Sequence, residues 1–330
     1  MEVIVNFDST EWDNFLENTD ATIFHNSKWM KTFGDNVEFI VLKEGNYIIG
    51  GITISKKKFI NKNIIIPPML CPYGDIVFNK NIFESLSKTN MISKSKKITT
   101  QIIKTLKKDS SVVIIEFSDK FKDFHPFIWE KFEVKVHHSY ILKNDNEEKL
   151  FANMSATRRN AIRRAIKDGI NVVIGLDKEN LKKMVLKTFK RQNMNYSSSI
   201  IDKVFEATDN VKTFVAYKED LPIAANCIVW DKKSAYYILG GYDSDNGHSG
   251  AQALAMWEAI RFSFNELKLD FFDFEGSMVP NIERFFRNFG GDLVTLHRAE
   301  YFSNDFLRYM FNFSKNNDFL KKIRKVVFKR

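Results

Sequence analysis

The stretch from Leu239 to Ser277, LGGYDSDNGHSGAQALAMWEAIRFSFNELKLDFFDFEGS, constrains the fold more than any other part of the chain. A strand runs into a loop of Gly, Asp, Asn and Ser, and the loop runs into a helix from Ala251 to Leu267. A short strand follows, Phe271 to Phe274, with Asp273 and Glu275 at its end beside Gly276. A small-residue loop that opens a helix presents backbone N–H groups with no helical partner, and such groups can cradle a phosphate.

The rest of the sequence repeats this rhythm. Glu38–Leu42 and Tyr47–Ser55 read as strands around a turn at Gly45, and Pro67 and Pro68 end a further strand. Ile98, Ile102, Ile103 and Leu106 recur at helical spacing before the apolar strand Val112–Phe117. Later come one helical stretch from Glu147 to Asp168 stopped by Gly169, a helix from Lys178 to Asn193, and strands at Thr213–Tyr217, Ile223–Trp230 and Ser234–Leu239. The order predicts two α/β domains in tandem, residues 1–145 and 146–330, divided at the polar run KNDNEEK.

A hydrophobic share of 44% and a charged share of 28% exclude wholesale disorder. Cys71 and Cys227 are too few and too far apart for a disulfide framework, which points to reduced thiols in the cytoplasm. No apolar run reaches the ~18 residues of a membrane span. The net charge of +9 suits an anionic partner, although a compositional bias toward lysine gives the same excess. The basic amphipathic tail from Phe306 to Arg330 is expected either to pack on the second domain or to touch an anionic membrane surface.

Three clusters carry candidate chemistry. In the loop, Gly247, Ser249, Gly250 and Ala251 precede or begin the helix, with the amides of Gly250, Ala251 and Gln252 open to a pyrophosphate; an ordinary strand-to-helix connection would read the same way. Asp273 and Glu275 share one side of an extended segment, where either could accept a proton from an amine, cap the next turn or pair with Arg284 or Arg287. In RRNAIRRAIKDG, Arg158, Arg159 and Arg163 could grip phosphate or carboxylate, or form a solvated face. The six histidines fall in no metal-ligand spacing and neither HExxH nor CxxC occurs, so no metal is expected. No serine elbow or Walker loop supports a hydrolase or kinase.

Taken in order, FHNSKWMKTFG, PPMLCPYGD, MSATRRNAIRRAIKDGI, PIAANCIVW, YYILGGYD, FDFEGS and RFFRNFGG resemble the Fem-type (FemAB-like) aminoacyl and acyl transferases and their acetyltransferase relatives in the GNAT superfamily. The resemblance spans nearly the whole chain. It implies two tandem GNAT-like domains, each a mixed, mostly antiparallel sheet flanked by helices, with an acceptor held between them. The implied activity is transfer of an acyl group from acyl-CoA to an amino group of a sugar, amino acid or peptide. The alternative is an aminoacyl-tRNA donor and a peptidoglycan-precursor acceptor, and a non-catalytic binding protein on the same fold is a third reading.

By the same resemblance Gly240, Gly241, Gly247, Ser249, Gly250 and Ala251 bind the donor. Phe24, Trp29, Tyr73, Arg158, Arg159 and Arg163 line the acceptor side, and Glu275, Asp273 and Arg287 serve catalysis. Two positions depart from the family pattern. Gly247 stands where the pyrophosphate loop usually has Gln or Arg, and Phe286 stands where Fem-type members have a lysine.

Overall fold

The protein is described from a computed structural model covering residues 1–59, 62–192 and 197–316. The chain packs into two units, one of residues Met1–His137 with Leu296 onward, the other of His138–Thr295.

In the first unit, β1 (Glu2–Ile4) leads to α1 (Ser9–Leu16) and α2 (Ser27–Phe33), then to the long antiparallel pair β2 (Val37–Glu44) and β3 (Tyr47–Phe59). Asp8 and Asn26 cap α1 and α2 by accepting from amides of the first turn. β4 (Lys62–Ile65), β5 (Val77–Phe78), α3 (Lys80–Phe83), α4 (Lys88–Lys108), β6 (Ser110–Phe117), α5 (His125–Trp129) and β7 (Glu133–Lys143) follow. The sheet order is β1-β2-β3-β4-β6. β4 and β6 are parallel, and α4 makes the crossover between them. Ile98, Ile102, Ile103 and Leu106 put α4 on that sheet with almost no exposed surface, each contributing roughly 2 kcal/mol of apolar burial.

The second unit holds α6 (Glu147–Asn153), α7 (Ala156–Lys167), β8 (Ile170–Gly175), α8 (Lys178–Arg191), α9 (Ser199–Ala207), β9 (Val211–Lys218), β10 (Leu221–Trp230), β11 (Ser234–Tyr242), α10 (Ala251–Arg261), β12 (Phe271–Asp273) and α11 (Pro280–Arg287). A π-helical turn at Phe262–Glu266 extends α10. The sheet runs β7-β12-β11-β10-β9-β8 and is antiparallel except for β11 beside β12, which α10 joins. Both units therefore have the same plan: a mostly antiparallel sheet with one parallel pair bridged by a buried helix. The expected fold class is the observed one.

Two expectations change. The predicted helix from Glu147 to Asp168 is two helices, because Met154 is extended (ψ 154°) and Ser155 starts α7 by accepting from Arg158 N. The division into units also differs from the expected boundary between 145 and 146. Within KNDNEEK, Asn146 caps α6 and Asn144 bonds Leu269 O, so the run is built into the second unit. The last strand, β13 (Asp292–Phe302), returns to the first unit, where it pairs antiparallel with β6 from His297↔Phe117 to Phe302↔Val112. α12 (Asp305–Asn316) follows, with Phe311 on a small cluster of Ile64, Val112 and Phe302. α12 is the first part of the expected basic tail, and the rest of that tail, residues 317–330, lies outside the described residues.

Candidate active site

The parallel pair of the second unit is short. Pairing runs from Ser234↔Phe271 to Tyr236↔Asp273 and stops, although β11 continues to Tyr242. At the same point β11 bulges: its partner on β10 changes from Leu239 opposite Cys227 to Tyr237 opposite Ile228, which leaves Ile238 as the extra residue. From Tyr237 onward β11 lacks β12 on one edge, and backbone groups on such an edge call for another partner. Past Asp273 the chain turns away, Phe274 N bonding Tyr140 O and Glu275 taking a positive φ of 54°.

The two expected acids sit at this fork in different states. Asp273 is buried, and its Oδ1 accepts from Ser139 Oγ at 2.9 Å and from Glu275 N at 2.8 Å. Glu275 is half-buried, but its Oε1 is sealed and has no hydrogen-bond partner among the described residues. Burial, and then the charge of Asp273, push the Glu275 carboxyl well above the usual carboxylate range. Burial, then Cys227 and more weakly Glu275, raise the Tyr237 phenol, so Glu275 lies within electrostatic reach of it. Tyr237 also touches Phe286, which stacks on Phe274. Phe286 fills the family's lysine position with a buried ring.

Tyr237, Asn226 and Gln252 form a polar group that sequence reasoning missed. The side-chain amides of Gln252, at the start of α10, and Asn226, on β10, meet at 2.5 Å. A Cβ at Gly240 would lie 2.1 Å from the Tyr237 hydroxyl and 2.6 Å from Asn226 Oδ1, so Gly240 makes room for this group. The signal was Asn226 itself, a lone amide in the apolar run IAANCIV that is fully buried in the fold.

The remaining expected donor residues are arranged otherwise than as an open cradle. Gly250 N donates to His248 Nδ1 and Ala251 N to His248 O, both at 3.0 Å, and His248 Nε2 meets Asp168 at 3.0 Å. Two of the three amides expected to face a pyrophosphate are thus closed by their own loop, because the N-cap Gly250 has no side chain to satisfy them. Asp243 holds the loop start, accepting from Asp245 N, Asn246 N and Lys187 Nζ, and the Lys187 bond leads the causes that hold its carboxyl far below the usual range. Ser249 is exposed. Gly241 and Gly250 admit helix backbones, since a Cβ there would lie 2.2 Å from Met184 O and 2.1 Å from Ala161 O. A Cβ at Gly247 would strike Asp243 O.

The expected acceptor residues are structural in their own units. Arg158 is buried between the rings of Phe285 and Phe289, 4.2 and 4.5 Å from their centres, and donates to Phe285 O at 3.0 Å. Burial lowers its guanidinium to about 10. Arg159 caps α6 by donating to Ala152 O and Met154 O, and Arg163 lies over the Phe151 ring. Arg287 is exposed and paired to Glu283 at 2.9 Å, and Glu283 also accepts from Tyr140 OH at 2.6 Å. Phe24, Trp29 and Tyr73 are buried in the first unit in edge-to-face contact, and Trp29 Nε1 bonds Leu70 O. Phe24 and Trp29 have no exposed surface and Tyr73 only 3%, and Tyr73 and Gly74 line a small pocket of the first unit.

Residues 152–287 match the family model described as an acetyltransferase (GNAT) domain. The matched residues lie within the second unit and include the fork, Tyr237, Asn226, Gln252 and both acids. No curated protein matches the chain in sequence. Among solved structures it is similar to FemX, with a TM-score of 0.67 and 13% identity, over 94% of this chain and 99% of that one. A conserved protein of unknown function from Bacteroides thetaiotaomicron gives a TM-score of 0.57 and 11% identity, over 89% of this chain and 97% of that one. L-PGS from Bacillus licheniformis gives 0.54 and 11%, over 90% and 92%. At these identities the likeness is one of fold.

Proposed function

We propose that the chain transfers an acyl group to an amine at the fork of its GNAT-type domain, with Glu275 as the proton acceptor. The observation that carries this reading is the parting of β11 from β12 at Tyr236↔Asp273, with a sealed carboxyl of raised proton affinity two residues past it. A donor with amide groups can complete the bare edge of β11, which orients its carbonyl before attack. An acceptor amine must lose a proton as its nitrogen bonds to that carbonyl, and a carboxylate of raised pKa takes it readily near neutral pH. The backbone amides on the β11 edge are available in this reading to meet the developing oxyanion, while the Gln252 amide is engaged with Asn226.

Acyl-CoA is the donor that the GNAT family implies. One observation favours the other donor class: His248 closes the amides of Gly250 and Ala251, which a CoA pyrophosphate would need. An aminoacyl ester of tRNA needs no pyrophosphate cradle, which fits the closed loop. The geometry therefore supports an aminoacyl-tRNA-dependent transferase over an acetyl-CoA enzyme, with a peptidoglycan-precursor amine as the implied acceptor.

A thermal-shift series with acetyl-CoA, CoA and aminoacylated tRNA tests the donor, because a ligand that binds only the folded chain raises its melting temperature. Stabilisation by aminoacylated tRNA alone is expected, and stabilisation by CoA alone would reverse the assignment. Transfer assays on Glu275→Gln test the base, with a loss of about 10²–10⁴-fold in rate expected.

A further inference from the structure

The first unit contains a cavity of about 390 Å³ that the transfer chemistry does not use. It lies among α3, α4 and the loop after β6, within the ~300–1,000 Å³ range of small-molecule sites. Val77, Phe78, Phe83, Ile92 and Phe121 make its walls apolar. One carboxylate interrupts them. Asp75 is 5% exposed, its Oδ1 accepting from Ser118 N at 2.9 Å and its Oδ2 from Ser118 Oγ at 2.6 Å, and it forms no ion pair among the described residues.

The charged rim is only partly neutralised. Lys80 is paired with Asp20 at 2.7 Å and Lys96 with Asp123 at 3.6 Å. Lys120 and Lys122 are exposed and have no ion pair among the described residues, and Glu84 is exposed on α3. Lys120 N donates to Ser118 Oγ, the hydroxyl that bonds Asp75, and the Lys120 charge is felt at Asp75. A buried anion and a surface cation thus stand together at one end of an apolar chamber.

We propose that this cavity binds a free α-amino acid with an apolar side chain, its ammonium on Asp75, its carboxylate on Lys120 and Lys122, and its side chain among Phe78, Phe83 and Phe121. A purely anionic amphiphile would set a second negative charge beside Asp75, whereas a simple amine would leave the lysines without a counter-charge. An α-amino acid carries both charges on one carbon, and Asp75 and Lys120, linked through Ser118, both line this cavity. A buried carboxylate also gains more from an ammonium than an exposed one does, since little solvent screens the pair. The inference rests on the first unit alone and is independent of the donor and base assigned in the second.

Isothermal titration of the full chain at neutral pH tests it with four probes: L-phenylalanine, hydrocinnamate, phenethylamine and decanoate. Saturable binding of L-phenylalanine with a Kd of about 1 mM or tighter is expected, with the other three at least about tenfold weaker. The double variant Lys120→Gln, Lys122→Gln changes only exposed side chains; it should weaken L-phenylalanine about tenfold and leave phenethylamine unchanged. Asp75→Asn should abolish the preference for L-phenylalanine over hydrocinnamate. Equal or tighter binding of hydrocinnamate or decanoate would overturn the proposal in favour of an anionic amphiphile. Absence of saturable L-phenylalanine binding, or indifference to the lysine variant, would overturn it outright.

Discussion

Glu275 sits at a φ of 54°, a setting that costs a non-glycine residue roughly 1 kcal/mol or more, next to Gly276 at 62°. That backbone setting holds a half-buried carboxyl beside a second acid, where burial and then the charge of Asp273 raise its proton affinity. The acidic limb of the rate–pH profile should therefore lie above the ordinary carboxylate range, and Glu275→Gln should remove the limb together with most of the rate. Asp75 follows the same logic with the sign visible in stability. Burial raises its carboxyl to about 6, so its protonated form is favoured by folding and the stabilisation is lost as pH rises from about 4 through 6. The shift corresponds to roughly 3 kcal/mol at most, and urea melts of wild type and Asp75→Asn across that window should diverge in slope, the variant lacking the decline. The sequence puts Asp273 and Glu275 on one side of an extended segment, but the strand ends at Asp273 and Glu275 turns out of it at positive φ, and the two states could not be told apart from sequence. Only Asp273 collects two donors, and that depends on Ser139, more than 100 residues away in the chain. The arginines misled for a related reason: Arg158 lies between two phenylalanines, one on α11 and one just past it, that periodicity in its own helix cannot reveal.

At the scale of elements, strong periodicity was legible and caps were less so. The apolar spacing of α4 and the strands from Val211 to Tyr242 follow directly from the residues, whereas the break at Met154–Ser155 turns on one serine hydroxyl accepting from Arg158 N at 3.1 Å. Ser155→Ala should cost about 1 kcal/mol in a denaturant titration, the usual value of such a cap. The loop before α10 offers a sharper test. The His248 ring holds the amide of Gly250, whereas the Ala251 amide is on the backbone oxygen of residue 248, so His248→Ala should free the Gly250 amide alone and raise the affinity for inorganic pyrophosphate, measured by competition or titration; unchanged affinity would show that this amide is not what limits anion binding there. The first unit treats its own fork differently. Its parallel pair β4–β6 also ends early, after Ile65↔Val113, but there Gly74 N bonds Glu116 O on β6, and Trp29 holds Leu70 in the intervening segment.

At the scale of the molecule, the tandem layout was readable from repeated strand–helix–strand order, but the return of the last strand was not, because pairing of His297–Phe302 with β6 joins residues about 180 positions apart. A chain ending at Thr295 should keep the fold of the second unit yet lose the first unit's closing strand. Its far-ultraviolet signal should melt in two steps, with the early one absent from the full chain. That arrangement also sets an order of events on the ribosome. The unit that is made first is finished last: β6 leaves the exit tunnel with one edge bare, and its partner follows only after some 180 further residues, about 10–35 s later at ordinary elongation rates of about 5–20 residues per second. For that interval VVIIEF is an apolar strand open to any passing chain, so the nascent protein is expected to depend on holdase chaperones that the finished one has no need of.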